Sequence, residues 1–366
     1  MIAYVIATRD RQGELACTLD RLSRLEAHAQ GLAGEVVIVD NASATPVRAP
    51  NWLDNGLAVR VIRRHSNAGA AGRNDGVRAT DAEWCVLLDD DSAQIDGGFV
   101  AALERTQGDV GAVSADIHLA DGSRERGGLP EVFVGCGVAV RRWAFLAAGG
   151  YDAALGYYAE EYDLSAKLMQ MGLRVAFEPS FRVEHRKASG GRDMGVILAR
   201  LVRNNGWVLK RYCPADELDE RLRENEARYR AIAEREGAVD GFERGLGELR
   251  TTIDAQVRTP MTGAQWARFT GLGAAREALW MAQTVGLLGP TATLIDPGKN
   301  AWVVERVLGE LGVGVVERGG SPVVATMSPG PMIDAGRRTR GAVLPWLEAQ
   351  RLCGGAPSAT ARAIAA

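Results

Sequence analysis

Four short apolar runs in the first 90 residues, Ile2–Ala7, Glu35–Asp40, Val59–Arg63 and Trp84–Leu88, read as β-strands separated by helical stretches. Between the first two, Leu15, Leu19, Leu22 and Leu25 fall on one helical face. Residues 70–80 read as a further helix, entered through the glycine-containing SNAGAAG. This alternation predicts an α/β fold whose mostly parallel sheet carries helices on its faces. Such a sheet binds ligands beyond the carboxyl ends of its strands. There the chain places Thr8-Arg9-Asp10 after the first run, Asp40-Asn41 after the second, and three consecutive carboxylates, Asp89, Asp90 and Asp91, after the fourth. Three like charges in a row are costly unless a positive group shares them.

The remaining pattern predicts a helix near 97–106, strands near 110–118 and 132–140, and a helix at 160–171. The strand-like segments RVAFEP and FRVEHR follow, and 195–236 reads as wholly helical. From about 260 the α/β texture returns, with the strands TATLID and PVVATMS and the intervening helix NAWVVERVLGELG. The expected organisation is a first domain over 1–195, a helical extension over 196–258, a small C-terminal α/β unit over 259–353, and a disordered tail over 354–366. That small unit carries neither GxGxxG nor a P-loop.

Composition narrows the function classes. The 366 residues are 46 % apolar and 24 % charged, which suits ordinary globular packing. A net charge of −3 gives no global basic field for nucleic acid or an anionic membrane. No apolar run reaches the roughly 18–20 residues of a membrane span, and the N-terminus MIAYVIATRDRQGE lacks the basic region and cleavage site of a signal peptide. Five dispersed cysteines without a CxxC pair argue against a disulfide framework or structural zinc. The expectation is a cytoplasmic protein with no integral membrane segment and no nucleic-acid partner.

Carboxylates at a strand end suit a hard cation, Mn²⁺ or Mg²⁺, held together with substrate phosphates. His185, following the strand-like FRVEH, is a candidate nitrogen ligand. Glu160 and Glu161 open a helix, where the dipole stabilises acidic residues and where one of them can serve as a general base.

In order along the chain, TRDR, VVIVDNAS, NAGAAGRNDG, VLLDDDS, VGCGVAVRRWAFLAAGGYD, EEYDL and EHR resemble an inverting family 2 glycosyltransferase with a GT-A fold. The later RNNGWVLKRYCP is similar to rhamnosyl- and galactofuranosyltransferase-like members. The resemblance covers about residues 1–215 and implies a UDP- or dTDP-sugar donor and a small-molecule or glycan acceptor. It implies that Asp40 binds the donor base, that Thr8 and Arg9 lie beside the nucleotide, and that Asn67 and Arg73 line the base and phosphate region. Asp89 or Asp90 would face ribose and donor sugar, and Asp91 with His185 would hold the metal. The family's ED pair corresponds to Glu160-Glu161, with Glu161 at the position of the base; the extra methylene leaves Glu160 as the other candidate. Asp163 is expected to brace the helix. Gly135, Cys136 and Gly137, together with Trp143, Tyr157 and Tyr158, are candidates for contact with the acceptor, core packing being the alternative for Trp143 and the tyrosines. Cys136 itself reads as a small buried residue.

The C-terminal unit, with Trp280 and Trp302 on apolar helices, would close over the acceptor, form a homo-oligomer or bind a separate partner. A catalytically weak, nucleotide-binding scaffold is the alternative function. A nucleotidyltransferase is disfavoured because TRDRQGE is not a glycine-rich, lysine-containing loop.

Overall fold

The computed structural model describes residues 1–187 and 193–353; the tail expected over 354–366 lies outside the described residues. Eight strands form the main sheet: β1 (Ile2–Thr8), β2 (Gly34–Asp40), β3 (Ala58–Arg63), β4 (Trp84–Asp89), β5 (Ser92–Gln94), β6 (Val110–Leu119), β7 (Gly137–Arg141) and β8 (Arg174–His185). Their spatial order is β3-β2-β1-β4-β7-β6-β8-β5. β1, β2, β3 and β4 run parallel, in a register that sets Thr8 opposite Asp40 and Ala7 opposite Asp89. The polar ends of β1, β2 and β4 therefore share one edge. Every residue of β1 is buried, as expected for a strand covered on both faces.

β7 is antiparallel to β4 and begins at Gly137, opposite Leu88, not near 132 as the apolar pattern suggests. The preceding residues instead form a loop that crosses the carboxyl edge. RVAFEP and FRVEHR are one strand, β8, interrupted where Ala115 pairs with Glu178 but Asp116 pairs with Arg182. Pro179 lies in that irregularity, where no ladder donor is required. The end of β8 comes back to the aspartates, with Ser92 of β5 paired to His185.

The segment expected to be wholly helical breaks at Cys213-Pro214 into helices Met194–Tyr212 and Leu218–Glu236, and a third, Val239–Thr252, packs on them. Proline cannot continue the ladder of hydrogen bonds. The small C-terminal sheet is three-stranded and parallel, ordered β10-β9-β11, from β9 (Thr291–Ile295), β10 (Gly314–Val315) and β11 (Ser321–Val324). Its core is continuous with that of the larger unit. Tyr162, Ala166 and Met169 from the helix Glu160–Gln170 pack in one cluster with Trp266, Phe269, Val303, Val323 and Met332. The helix carrying the candidate base is thus fixed from both sides. No helix among the described residues is long and apolar enough to cross a membrane.

Candidate active site

The three aspartates each have a different partner. Asp89 pairs with Arg73, a buried guanidinium that also donates to the Leu88 carbonyl. Burial opposes the charge of Arg73, but Asp89 holds it more firmly protonated than usual. Asp90 accepts from the Thr8 hydroxyl at 2.7 Å and pairs with Arg11 at 2.8 Å. Burial nevertheless pushes Asp90 up to about 6. Asp91 takes the other arm of Arg11 at 2.7 Å, and its second oxygen lies 3.4 Å from Nε2 of His185. Burial would raise this carboxyl, but His185 and Arg11 hold it well below the usual range.

His185 is itself fixed on the other side, with Nδ1 2.7 Å from the Glu125 carboxylate. Burial opposes its charge, yet Cys136, Asp91 and Glu125 together raise it to about 12. An oxygen of Asp89, the Cys136 sulfur and a His185 nitrogen lie within 4.8 Å of one another. Carboxylate oxygens and an imidazole nitrogen suit Mn²⁺ or Mg²⁺. Cys136 does not fit that set, because burial raises its thiol to about 11 and keeps it protonated. The group that stands beside His185 in addition to Asp91 is Asp89.

Glu160 and Glu161 sit at the first turn of their helix, after two residues in the left-handed region, Tyr158 (φ 73°) and Ala159 (φ 68°). Non-glycine residues adopt this conformation when the surroundings enforce it. Asn204 supplies that constraint: fully buried, its amide donates to the carbonyls of Leu155, Tyr157 and Tyr158 at 2.9, 2.9 and 2.7 Å. Asp163 anchors the next turn, accepting from the Arg211 guanidinium at 2.8 Å and the Tyr212 hydroxyl at 2.7 Å. This is the bracing role expected for it. Burial and the charge of Glu161 push Glu160 well above the carboxylate range, and burial also raises Glu161. The two carboxyls have different outlooks. Glu160 feels Arg73 and has Gly135 beside its Oε1, whereas Glu161 feels Lys299 from the C-terminal unit.

Other expected residues divide by position. Tyr157 stands within electrostatic reach of Arg73, Asp89, Asp90 and Glu160. Arg9 and Asn67 are exposed at the carboxyl edge, Asn67 closing a tight turn by accepting from the Gly69 amide at 2.8 Å. Gly69 (φ 60°) lies so close to Gly156 that an added Cβ would meet its carbonyl oxygen at 2.4 Å. Asp40 is fully buried, and its oxygens already accept from Ser43 N at 2.8 Å, Val47 N at 3.1 Å and Arg63 at 3.0 Å. Burial would raise its pKa, but these donors outweigh that and lower it; here Asp40 braces the turn after β2. Arg73 likewise grips Asp89 and a strand carbonyl, so its expected place against phosphate passes through Asp89. Gly137 is enclosed by Ile117 and Ala115 within the sheet, which removes it as an acceptor contact. Trp143 is 51 % exposed but follows the end of β7 that pairs with Trp84. Because β7 runs antiparallel, that places Trp143 at the opposite edge from the aspartates.

Three residues of the site were not singled out from sequence. Arg11, two residues past Arg9, is the positive group that shares Asp90 and Asp91. Glu125 lies in the crossing loop, and that loop is tied to the C-terminal unit by Arg124 with Asp334 and by the Ser328 hydroxyl donating to Gly127 O at 2.6 Å. Asn204 left a trace, since a polar residue on an otherwise apolar helix face needs a buried partner.

Residues 4–127 match the family described as glycosyl transferase family 2. Among curated proteins, the chain is 26 % identical over 198 residues to a pre-mycofactocin glycosyltransferase of Mycobacterium tuberculosis, covering 47 % of this chain and 41 % of that protein. It is 28 % identical over 207 residues to an uncharacterized glycosyltransferase of Haemophilus influenzae, covering 50 % of this chain and 64 % of that protein. The matched region thus spans about half of this chain and less than two thirds of either relative. Among solved structures it is similar to S. aureus TarS 1-349 in complex with UDP-GlcNAc (TM-score 0.49, 12 % identity, 87 % of this chain and 93 % of that one). It is also similar to GalNAc-T7 with UDP, GalNAc and Mn²⁺ (TM-score 0.47, 17 % identity, 70 % and 57 %). The stretch that matches glycosyl transferase family 2, residues 4–127, holds most of β1, the whole of β2 to β6 and the three aspartates at the carboxyl edge of β4.

Proposed function

We propose that the protein transfers a sugar from a nucleoside diphosphate sugar, UDP- or dTDP-linked, to an acceptor hydroxyl with inversion in a single displacement. The observation that carries this reading is the convergence at one sheet edge of Asp89, Asp91 and His185 with the raised carboxyls Glu160 and Glu161. Asp91, Asp89 and His185 are the residues that would hold Mn²⁺ or Mg²⁺. Once bound, such an ion stabilises the departing diphosphate as its charge develops. His185 must then release its proton, since only the neutral imidazole ligates metal. Glu161 takes the proton of the acceptor hydroxyl as its oxygen bonds to the anomeric carbon, and the bond from that carbon to the diphosphate oxygen breaks with its electrons leaving on the diphosphate. Burial and the charge of Glu161 keep Glu160 the more firmly protonated of the two, which leaves Glu161 to act as the base. Thr8 and Arg11 hold Asp90 and Asp91 in place.

The test is release of nucleoside diphosphate from UDP-, dTDP- and GDP-sugars, with and without Mn²⁺. The reading expects turnover of one donor class only with metal, and loss of turnover in Glu161→Gln with nucleotide binding retained. Arg11 favours the scaffold alternative, since it neutralises two carboxylates without an ion; metal-independent nucleotide binding with no turnover is the result that alternative predicts.

A further inference from the structure

A cavity of about 450 Å³, reached by Tyr162, the residue after Glu161, lies between the helical segment and the C-terminal unit. That volume is within the range of small-molecule sites. Its walls are aromatic: Tyr162 from the base-bearing helix, Tyr229, Trp266, Phe269 and Trp302. Trp266 and Phe269 stack with centroids 5.6 Å apart, and Tyr162 meets Phe269 edge-on at 6.1 Å. A flat apolar body would find faces and edges to pack against.

The charges in this cavity are unbalanced. Arg221 lies 3.9 Å over the Trp302 ring but is already paired with Glu224 at 2.7 Å and Glu220 at 3.0 Å. Arg228 and Lys299 also line the cavity, and among the described residues neither has a carboxylate within ion-pair distance. Lys299 Nζ stands instead 3.9 Å over the Tyr162 ring. Burial and the charge of Arg228 lower its pKa to about 7, with Glu161 opposing that shift. The backbone of Lys299 is fixed, its carbonyl accepting from Met327 N at 2.9 Å. Lys299, half-buried over an aromatic ring, and the exposed Arg228 at the rim of the cavity present two cations without an ion-pair partner to an anionic ligand.

We propose that this cavity is the acceptor site, and that the acceptor combines a flat apolar body with an anionic group that Arg228 and Lys299 bind. The assignment rests on the glycosyltransferase reading, because it is the neighbouring Glu161 that makes a ligand here an acceptor. Lys299 is the link between them: it is within electrostatic reach of Glu161 and lines the cavity.

The test is a ligand-observed NMR titration of the full chain with 4-hydroxyphenylacetate, 4-hydroxyphenyl phosphate and the uncharged 4-hydroxyphenylacetamide. At pH 6.5 the anionic probes are expected to bind at least about tenfold more tightly than the amide, and phosphate against carboxylate distinguishes the preferred anion. Replacing both cations, by Arg228→Gln with Lys299→Gln, is expected to remove that difference while leaving UDP–Mn²⁺ binding within about twofold. Equal affinity for acid and amide, no binding of any probe, or unchanged preference in the double variant would overturn the assignment. The acid-against-amide comparison uses the unmodified chain and so holds even if the variant does not fold. Failure of every donor sugar to turn over, with probe binding intact, would overturn the transferase reading and the acceptor role but leave the anion site standing.

Discussion

At the carboxyl edge of β1, β4 and β8, each acidic side chain of the triple aspartate is matched within the chain: Asp89 by Arg73, Asp90 and Asp91 by Arg11, and Asp91 again by His185. In the cavity lined by Tyr162, Arg228 and Lys299 have no such match. The difference teaches where a ligand must bring charge of its own and where it must exchange with a partner already present. At the sheet edge the proposed metal would have to displace a proton from His185 and compete with Arg11, so binding there is expected to depend strongly on pH and on the ion. In the cavity an anion would meet two cations that have no ion-pair partner, and it would displace no protein carboxylate.

The largest effect expected from breaking this contrast is on turnover. Removing the proposed general base with Glu161→Gln should lower kcat by about 10²–10⁴-fold, whereas Glu160→Gln should have the smaller effect. Steady-state kinetics of both variants assigns the base, and a larger loss in Glu160→Gln would reverse the two roles. The unmodified enzyme should lose activity as pH falls through an apparent pKa that lies above the ordinary glutamate value of about 4.3, because burial raises both carboxyls and the charge of Glu161 raises Glu160 further. That pKa belongs to the pair.

Next in size is the charge supplied by Arg11. Arg11→Met leaves Asp90 and Asp91 short of a cation and should destabilise the metal-free protein by about 1–3 kcal/mol. This is less than the roughly 3–5 kcal/mol of a fully buried pair, because the Arg11 side chain is 37 % exposed. The same variant should gain more stability from Mn²⁺ than the unmodified chain does. Equal metal response in the two would mean that Arg11 and the ion do not share these carboxylates. Asn204→Ala should cost about 1–3 kcal/mol in chemical denaturation by leaving buried carbonyls unsatisfied. It should also lower kcat, since the turn that positions Glu160 and Glu161 loses its support.

The smallest effect is the pH dependence of the cavity. Lys299, held down at about 7, loses its charge as pH rises through that region, with Glu161, Arg228, Arg221 and Glu224 the charged groups around it. Affinity for 4-hydroxyphenylacetate should therefore fall by about tenfold or less between pH 6 and pH 9, and remain flat in Lys299→Gln.

Much of the sheet edge was legible in the sequence because its parts are strand ends. A run of β-branched and aliphatic residues fixes where a parallel strand stops, so Thr8, Asp89–Asp91 and His185 fall on one edge without knowledge of any contact. The antiparallel β7 defeated the same reasoning. Trp143 and Gly137 lie close to the site in sequence order, but strand direction sends one to the far edge and closes the other within the sheet. Arg11 and Glu125 lie in loops, whose paths apolar periodicity does not encode. The cavity is assembled from residues between Leu129 and Trp302; each was readable as core or surface on its own element, and only tertiary packing shows that five rings and three cations face one space.

The most direct test of the account is thermal unfolding of the full chain and of Asp91→Asn with UDP, dTDP and GDP, each with and without Mn²⁺. At about 100 times its dissociation constant, the preferred nucleotide with Mn²⁺ should add about 2.7 kcal/mol of stability, with little gain from either component alone and little in the variant. Stabilisation that is the same without metal, the same in Asp91→Asn, or absent for all three nucleotides would contradict it.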